Sequence, residues 1–124
     1  IAKGIFSEQE YRRCTEFLDK TFGLLNGKVD LWLCSSSHPE GAEGPYRKES
    51  VLRKPGAGMI LQVAQELRVD FSCSIMIGDK NSDLLELVPL CSYFLQGKYP
   101  LQQKKENIFS SHNDLYHHLR SRFL

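Results

Sequence analysis

The sequence predicts an α/β protein, a parallel sheet flanked by helices. Three observations carry this. Helix-like and strand-like patterns alternate along the 124 residues, the strand-like runs are apolar throughout instead of alternating, and a Gly-Asp turn follows the most apolar of them. At this length one domain with one core is expected, burying roughly two-thirds of the surface that the unfolded chain exposes.

The elements follow in order. Ser7-Glu8-Gln9-Glu10 is a capping box, in which the Ser7 hydroxyl accepts from an early helical N–H and Glu10 reaches back. Tyr11, Cys14, Phe17, Leu18 and Phe22 then recur at helical spacing with Arg12, Arg13, Glu16, Asp19 and Lys20 on the other face, predicting a helix packed on one side that ends near Gly23. Residues 29–34 (VDLWLC) read as a short apolar strand, and residues 35–52, rich in Ser, Gly, Pro and Glu, as a long surface loop of the kind that usually has work to do. A second amphipathic helix carries Met59, Ile60, Val63, Ala64 and Leu67. Residues 74–77 (SIMI) predict a buried strand ending at Gly78-Asp79, followed by a short helix through Leu84, Leu85 and Leu87 that stops at Pro89. Residues 92–95 (SYFL) form a third strand, residues 97–107 are polar and irregular, and Ser111-His112-Asn113-Asp114 caps a last helix that packs Leu115, Leu119 and Phe123.

Composition removes several function classes. Sixteen Lys and Arg against fifteen Asp and Glu leave a net charge of +1, so no bulk field argues for nucleic acid or for an anionic membrane surface. The longest comparable apolar stretch, residues 88–95, is interrupted by Pro89 and Ser92 and falls far short of the about 20 residues that a spanning helix needs. Cys14, Cys34, Cys73 and Cys91 contain no C-x-x-C pair and sit in or beside apolar runs, which suits reduced, buried thiols of a cytoplasmic protein. The opening Ile1-Ala2-Lys3-Gly4 has neither an initiator Met nor a secretory signal, which suggests part of a longer protein.

In an open parallel sheet the ligand site lies outside the carboxyl ends of the strands. Gly78-Asp79-Lys80-Asn81-Ser82-Asp83 falls there, and two carboxylates four apart at such a turn can face one point, as a hard cation such as Mg²⁺ requires. The alternative is that Asp79 and Asp83 only cap the following helix. Arg53-Lys54-Pro55 leads into the Met59 helix, where two cations and a helix N-terminus suit a phosphoryl group; the alternative is a solvated basic pair. Residues 23–28 (GLLNGK) are one residue short of a P-loop, and Val29 stands where its hydroxyl should be. Gly56-Ala57-Gly58 reads as a loop-to-helix junction, His117 and His118 as surface histidines, and Cys34 with His38 as two zinc ligands too few.

Taken in order, I-A-K-G-I-F, C-S-S-S-H-P-E-G, R-K-P-G-A-G-M and I-M-I-G-D-K-N-S-D resemble the haloacid dehalogenase (HAD) superfamily of phosphatases, over about residues 1–95. The resemblance is closest to the branch of heptose 1,7-bisphosphate 7-phosphatases and histidinol phosphatases. It implies a Rossmann-like core and an Mg²⁺-dependent phosphatase acting through an aspartyl-phosphate on a small phosphorylated sugar. Lys54 matches the cation that holds the phosphoryl oxygens and the nucleophilic carboxylate. Asp79 matches the Mg²⁺-binding carboxylate with Asp83 as its second acidic member, and Arg53 matches a substrate-contacting arginine.

The sequence also departs from the family. No D-x-D-G-T or D-R-D-G occurs, so the nucleophile and the acid/base are absent, as is the Ser/Thr of the second motif. In the family the nucleophile's strand lies between those matching residues 29–34 and 74–77, so the implied sheet is incomplete, with its first strands missing. The expectation is that residues 1–124 form the C-terminal two-thirds of one phosphatase domain, inactive alone, whose partner is the N-terminal segment of the same protein. The other reading is a noncatalytic phosphosugar-binding or protein-interaction module derived from the same fold. Many members of the branch bind zinc in the 35–52 loop, but aligning His38-Pro39 and Arg53-Lys54-Pro55 with the family places Ser35, Ser37, Ser50 and Leu52 at the ligand positions. Zinc is therefore not expected, and the loop is read as a substrate loop.

Overall fold

The computed structural model describes residues 1–42, 44–85 and 90–123. They divide into two compact units, Ile1–Val63 and Ala64–Leu124.

The first unit opens on helix α1 (Glu8–Leu24), and the expected capping box is present in both directions: the Glu10 N–H donates to Ser7 Oγ at 3.2 Å and the Ser7 N–H to Glu10 Oε2 at 2.7 Å. The helix ends one residue past the expected Gly23. Its apolar stripe is not packed as expected, because no residue of α1 is buried and Phe17 is 67% exposed. Residues 29–34 are not a strand. A strand exists by exchanging backbone hydrogen bonds with a neighbour, and these residues have none among those described; they are tied to α1 instead by Trp32 Nε1, which donates to Asp19 Oδ1 at 2.7 Å. The same open face accounts for the exposed Cys14 and Cys34, which the sequence reading placed inside. All four cysteines are free thiols; Cys73 is also exposed and Cys91 is half-buried.

Helix α2 (Gly58–Leu67) begins one residue before the predicted Met59. Its entry needs glycine, since a Cβ on Gly58 would meet the Val51 carbonyl oxygen at 2.5 Å. That is the backbone group to which the Gly58 N–H donates, at 3.0 Å.

The second unit holds the sheet. Strands β1 (Ile75–Gly78), β2 (Cys91–Leu95) and β3 (Ile108–Phe109) lie side by side in that order, all parallel, with Gly78 opposite Phe94 and Phe94 opposite Ile108. The parallel α/β architecture expected from the apolar strands is therefore observed, as an incomplete Rossmann-like arrangement. β2 is the central strand, and its Tyr93 and Phe94, 0% and 1% exposed, point to opposite faces. β1 differs from expectation. It pairs only with β2 among the described residues, and Ile75 and Ile77 remain 38% and 43% exposed, so one of its faces is uncovered. β3 was not expected, because two apolar residues after a polar segment are too few to show a period.

After β1 the chain forms a 3-10 turn over Asn81–Asp83, and Leu84 and Leu85 are not helical; Leu87 and Pro89 of the predicted short helix lie outside the described residues. Helix α3 (His112–Phe123) starts where the Ser111 cap places it, the Asp114 N–H donating to Ser111 Oγ at 3.1 Å. It buries Leu115, whereas Phe123 is exposed. His117 is exposed, as expected of a surface histidine, but His118 is half-buried, its ring 5.2 Å from Tyr93 and 5.0 Å from Phe109. The two histidines are about 100° apart around the helix, so one turns to the sheet and the other to water.

Phe94→Ala should empty the centre of the second unit and cost about 3–5 kcal/mol of stability, the usual penalty for truncating a buried aromatic. Urea unfolding of the variant against the parent measures it.

Candidate functional site

β1 delivers the Gly78–Asp83 turn to the carboxyl end of the sheet, and the turn is shaped by one carboxylate. Asp83 is 1% exposed, and its Oδ2 accepts the backbone N–H of Asp79 at 2.9 Å and of Lys80 at 3.0 Å. A buried carboxylate is tolerated only where donors compensate its lost hydration, and these two amides supply that. The approach is so close that a Cβ on Gly78 would collide with the Asp83 Cβ and carboxylate. Glycine is required there by space, not by an unusual φ.

Asp79, by contrast, is exposed at the end of its strand. The two acidic residues are thus in contact through the Asp79 backbone and hold unequal roles: Asp83 turns one oxygen inward to the backbone of Asp79 and Lys80, and Asp79 is exposed to solvent. No group of three or more His, Cys, Asp and Glu gathers as a metal cluster among the described residues. What Asp79 offers is a single exposed carboxylate, which fits Mg²⁺, a cation that commonly takes one or two carboxylates and fills its remaining positions with water and substrate phosphate.

Arg53 and Lys54 are both exposed in the turn that precedes α2. The turn is closed by Arg53 N–H to the Ser50 carbonyl at 3.0 Å and by Gly56 N–H to the Arg53 carbonyl at 2.8 Å, and the Lys54–Pro55 peptide is cis. It presents the basic pair beside a helix N-terminus, where positive charge and free N–H groups favour an anion. Gly56-Ala57-Gly58 is the loop-to-helix junction expected. His38 belongs to the same electrostatic neighbourhood: partial desolvation, then the Arg53 and Lys3 cations, hold its imidazole below the ordinary histidine range.

The 35–52 loop lacks regular structure but is held at several points. The Ala2 N–H donates to the Ser36 carbonyl at 3.0 Å, the Ala42 N–H to the Ala2 carbonyl at 2.8 Å, and the His38 N–H to the Tyr46 carbonyl at 3.0 Å. Tyr46 Oη donates to Glu8 Oε1 at 2.6 Å, joining the loop to the first turn of α1. At the positions where the family resemblance would put zinc ligands, Ser50 Oγ accepts the Leu52 N–H at 3.2 Å, Ser37 is buried, and Ser35 Oγ is buried without a hydrogen-bond partner among the described residues. Three hydroxyls and a leucine offer neither thiolate nor imidazole, so this donor set does not fit zinc.

Sequence reasoning missed one part of the site. Asn81 reaches the segment after β2, its Nδ2 donating to the Pro100 carbonyl at 3.1 Å and its Oδ1 accepting the Gln102 N–H at 2.8 Å. Partners 19 and 21 residues away leave no mark in a local motif.

Comparison with known proteins places these motifs in context. The HAD-hydrolase-like family matches residues 51–85, a stretch that contains Arg53, Lys54, Asp79 and Asp83. Over 87 residues the chain is 40% identical to a D-glycero-beta-D-manno-heptose-1,7-bisphosphate 7-phosphatase of Photorhabdus laumondii, covering 68% of this chain and 45% of that protein. It is 42% identical over 87 residues to the protein of the same name from Haemophilus influenzae, with the same 68% and 45% coverage. A D-glycero-alpha-D-manno-heptose-1,7-bisphosphate 7-phosphatase of Photorhabdus laumondii is 30% identical over 122 residues, 91% of this chain and 63% of that relative. The chain thus spans about half the length of the first two relatives.

The Gly78–Asp83 contact generates a non-additive pair. Asp83→Gly should cost at least about 1–3 kcal/mol by leaving two N–H groups without their acceptor, and Gly78→Ala should be destabilising alone yet much less so in the Asp83→Gly background, which removes the Cβ as well as the carboxylate that the new methyl would meet. A double-mutant cycle by urea unfolding measures the coupling.

Proposed function

Since the chain belongs to the HAD-like hydrolase superfamily, in the branch of the heptose 1,7-bisphosphate 7-phosphatases, we propose that the protein it forms part of is an Mg²⁺-dependent phosphomonoesterase acting on a small phosphorylated sugar, a heptose bisphosphate. The observation that carries the reading is the turn after β1, where a buried Asp83 fixes the backbone and Asp79 is left exposed at the strand's carboxyl end. In this reading residues 1–124 are the C-terminal two-thirds of a single phosphatase domain, completed by an N-terminal segment of the same protein, and residues 35–52 form its substrate loop.

The residues take distinct parts. Asp79 supplies a carboxylate oxygen to Mg²⁺, and Asp83 is its second acidic partner, which also orients the loop through the N–H groups of Asp79 and Lys80. When bound, Mg²⁺ neutralises phosphate charge and orients the phosphoryl group for in-line attack. Lys54 holds phosphoryl oxygens as a point charge, while Arg53, whose planar fork suits phosphate, binds substrate. Phosphoryl transfer asks mainly for such positioning and charge neutralisation. No helix among the described residues is long and apolar enough to cross a membrane, and a small phosphorylated substrate calls for neither a lipid nor a nucleic-acid surface.

In the intact protein, Asp79→Asn should cut turnover by several orders of magnitude with an unchanged melt, since Asn keeps the size but loses the charge that the cation needs. Near-wild-type turnover would remove Asp79 from the metal site, whereas an intact parent protein that turns over no phosphate ester would favour the noncatalytic binding module. Lys54→Ala should lower turnover about 10²-fold to 10³-fold, the scale of a lost electrostatic contact to developing charge, and Arg53→Ala should chiefly raise KM.

The 124-residue chain alone carries no D-x-D pair and should hydrolyse no phosphate ester. Mg²⁺-dependent release of phosphate by the purified chain would refute the assignment of the nucleophile to another segment. After dialysis, metal analysis should find no stoichiometric zinc.

A further inference from the structure

Three of the six residues in the Gly78–Asp83 turn make contacts that hold the turn in place, and two of those three contact a segment remote in sequence. Asp83 holds the N–H groups of Asp79 and Lys80 from within the turn. Asn81 grips the backbone of the segment after β2 with both ends of its amide, donating to the Pro100 carbonyl and accepting from the Gln102 N–H. Lys80 lays its ammonium 4.3 Å from the centre of the Tyr99 ring, within the reach of a cation–π contact. The nearby Lys98 and Lys80 cations hold the Tyr99 phenol below its ordinary pKa, consistent with a ring flanked by positive charge.

These contacts join the two loops that leave the carboxyl ends of neighbouring strands. β1 and β2 are parallel, with Gly78 opposite Phe94, so the turn after Gly78 and the chain after Leu95 emerge at the same end of the sheet. Without the second loop, Asp79 would be exposed on a turn held only by short-range contacts such as those of Asp83. An amide bonded at both ends to a second loop removes that freedom, because two hydrogen bonds of opposite sense fix both the direction and the height of the turn.

We propose that Asn81 is a positioning residue, which clamps the Asp79 turn to the Tyr99–Gln102 segment and so pre-sets the Asp79 carboxylate for a divalent cation. The inference rests on the Mg²⁺ role proposed for Asp79, and it extends that role to residues outside the acidic pair. Groups that orient a metal ligand without touching the metal are energetically substantial: their loss typically weakens metal binding about 10-fold to 100-fold. The Lys80–Tyr99 contact joins the same two segments.

The test uses the intact protein and Asn81→Leu, which nearly keeps the side chain's volume and removes both hydrogen bonds. Amide exchange is followed at residues 79–83 and 99–102, and Mg²⁺ alone is titrated by calorimetry and by the rise in melting temperature. A third readout is turnover of p-nitrophenyl phosphate. The expected result is faster exchange in both segments, a Mg²⁺ dissociation constant raised about tenfold, and a KM for the ester within about twofold of the parent at saturating Mg²⁺.

Unchanged exchange in Asn81→Leu would overturn the clamp. Faster exchange with an unchanged Mg²⁺ constant would overturn the positioning role and leave Asn81 a structural staple. If the parent binds no Mg²⁺, the role of Asp79 falls and the positioning role falls with it; if the parent binds and Asn81→Leu binds equally well, only the positioning role does.

Discussion

The buried carboxylate of Asp83 is the constraint on which the candidate site depends. A carboxyl group withdrawn from water needs donors in place of its hydration, and the amides of Asp79 and Lys80 supply two, so the chain curls back over its own strand end. That curl brings Asp83 against the backbone of residue 78, where only glycine fits. It also leaves Asp79 exposed and places Asn81 within reach of the segment after β2. One buried carboxyl group thereby decides the glycine at position 78, the exposure of its acidic neighbour and the attachment of a distant loop.

The first unit solves a different problem by different means. Its 35–52 loop carries serines and a leucine at the positions tested for zinc, and its shape is kept by ordinary hydrogen bonds: through Ala2 at its base, the Tyr46 carbonyl across its middle and the Tyr46 hydroxyl to Glu8. A metal constrains several residues at once through one centre. Distributed hydrogen bonds, each worth about 0.5–1.5 kcal/mol net, achieve the same only if several act together, and the loop has at least four.

Apolar surface is unevenly treated. β2 is buried on both faces, whereas the stripe of α1 and the outer side of β1 stay open, with Phe17, Ile75 and Ile77 exposed. An apolar stripe or strand face acquires its burial from an opposing layer. For β2 that layer is present on one side as α3, whose His118 ring packs against Tyr93 and against Phe109 of the neighbouring strand.

Much of this was legible in the sequence, for reasons of range. The capping box at Ser7, the start of α2 after its glycines, the Ser111 cap and the two longer strands are written in residues a few positions apart, and local physics decides them. The order of the motifs around Arg53, Lys54, Asp79 and Asp83 was equally visible, and with it the family. Tertiary structure decided what depends on partners far along the chain. Residues 29–34 have the composition of a strand but lack a neighbour to pair with among the described residues. Phe109 joins the sheet only because β2 lies beside it, and His118 faces the sheet because Tyr93 and Phe109 wait there. Spacing alone made Asp79 and Asp83 equivalent. Only the folded turn separates them, because burial falls on the carboxylate that can reach two backbone donors and exposure on the one that cannot.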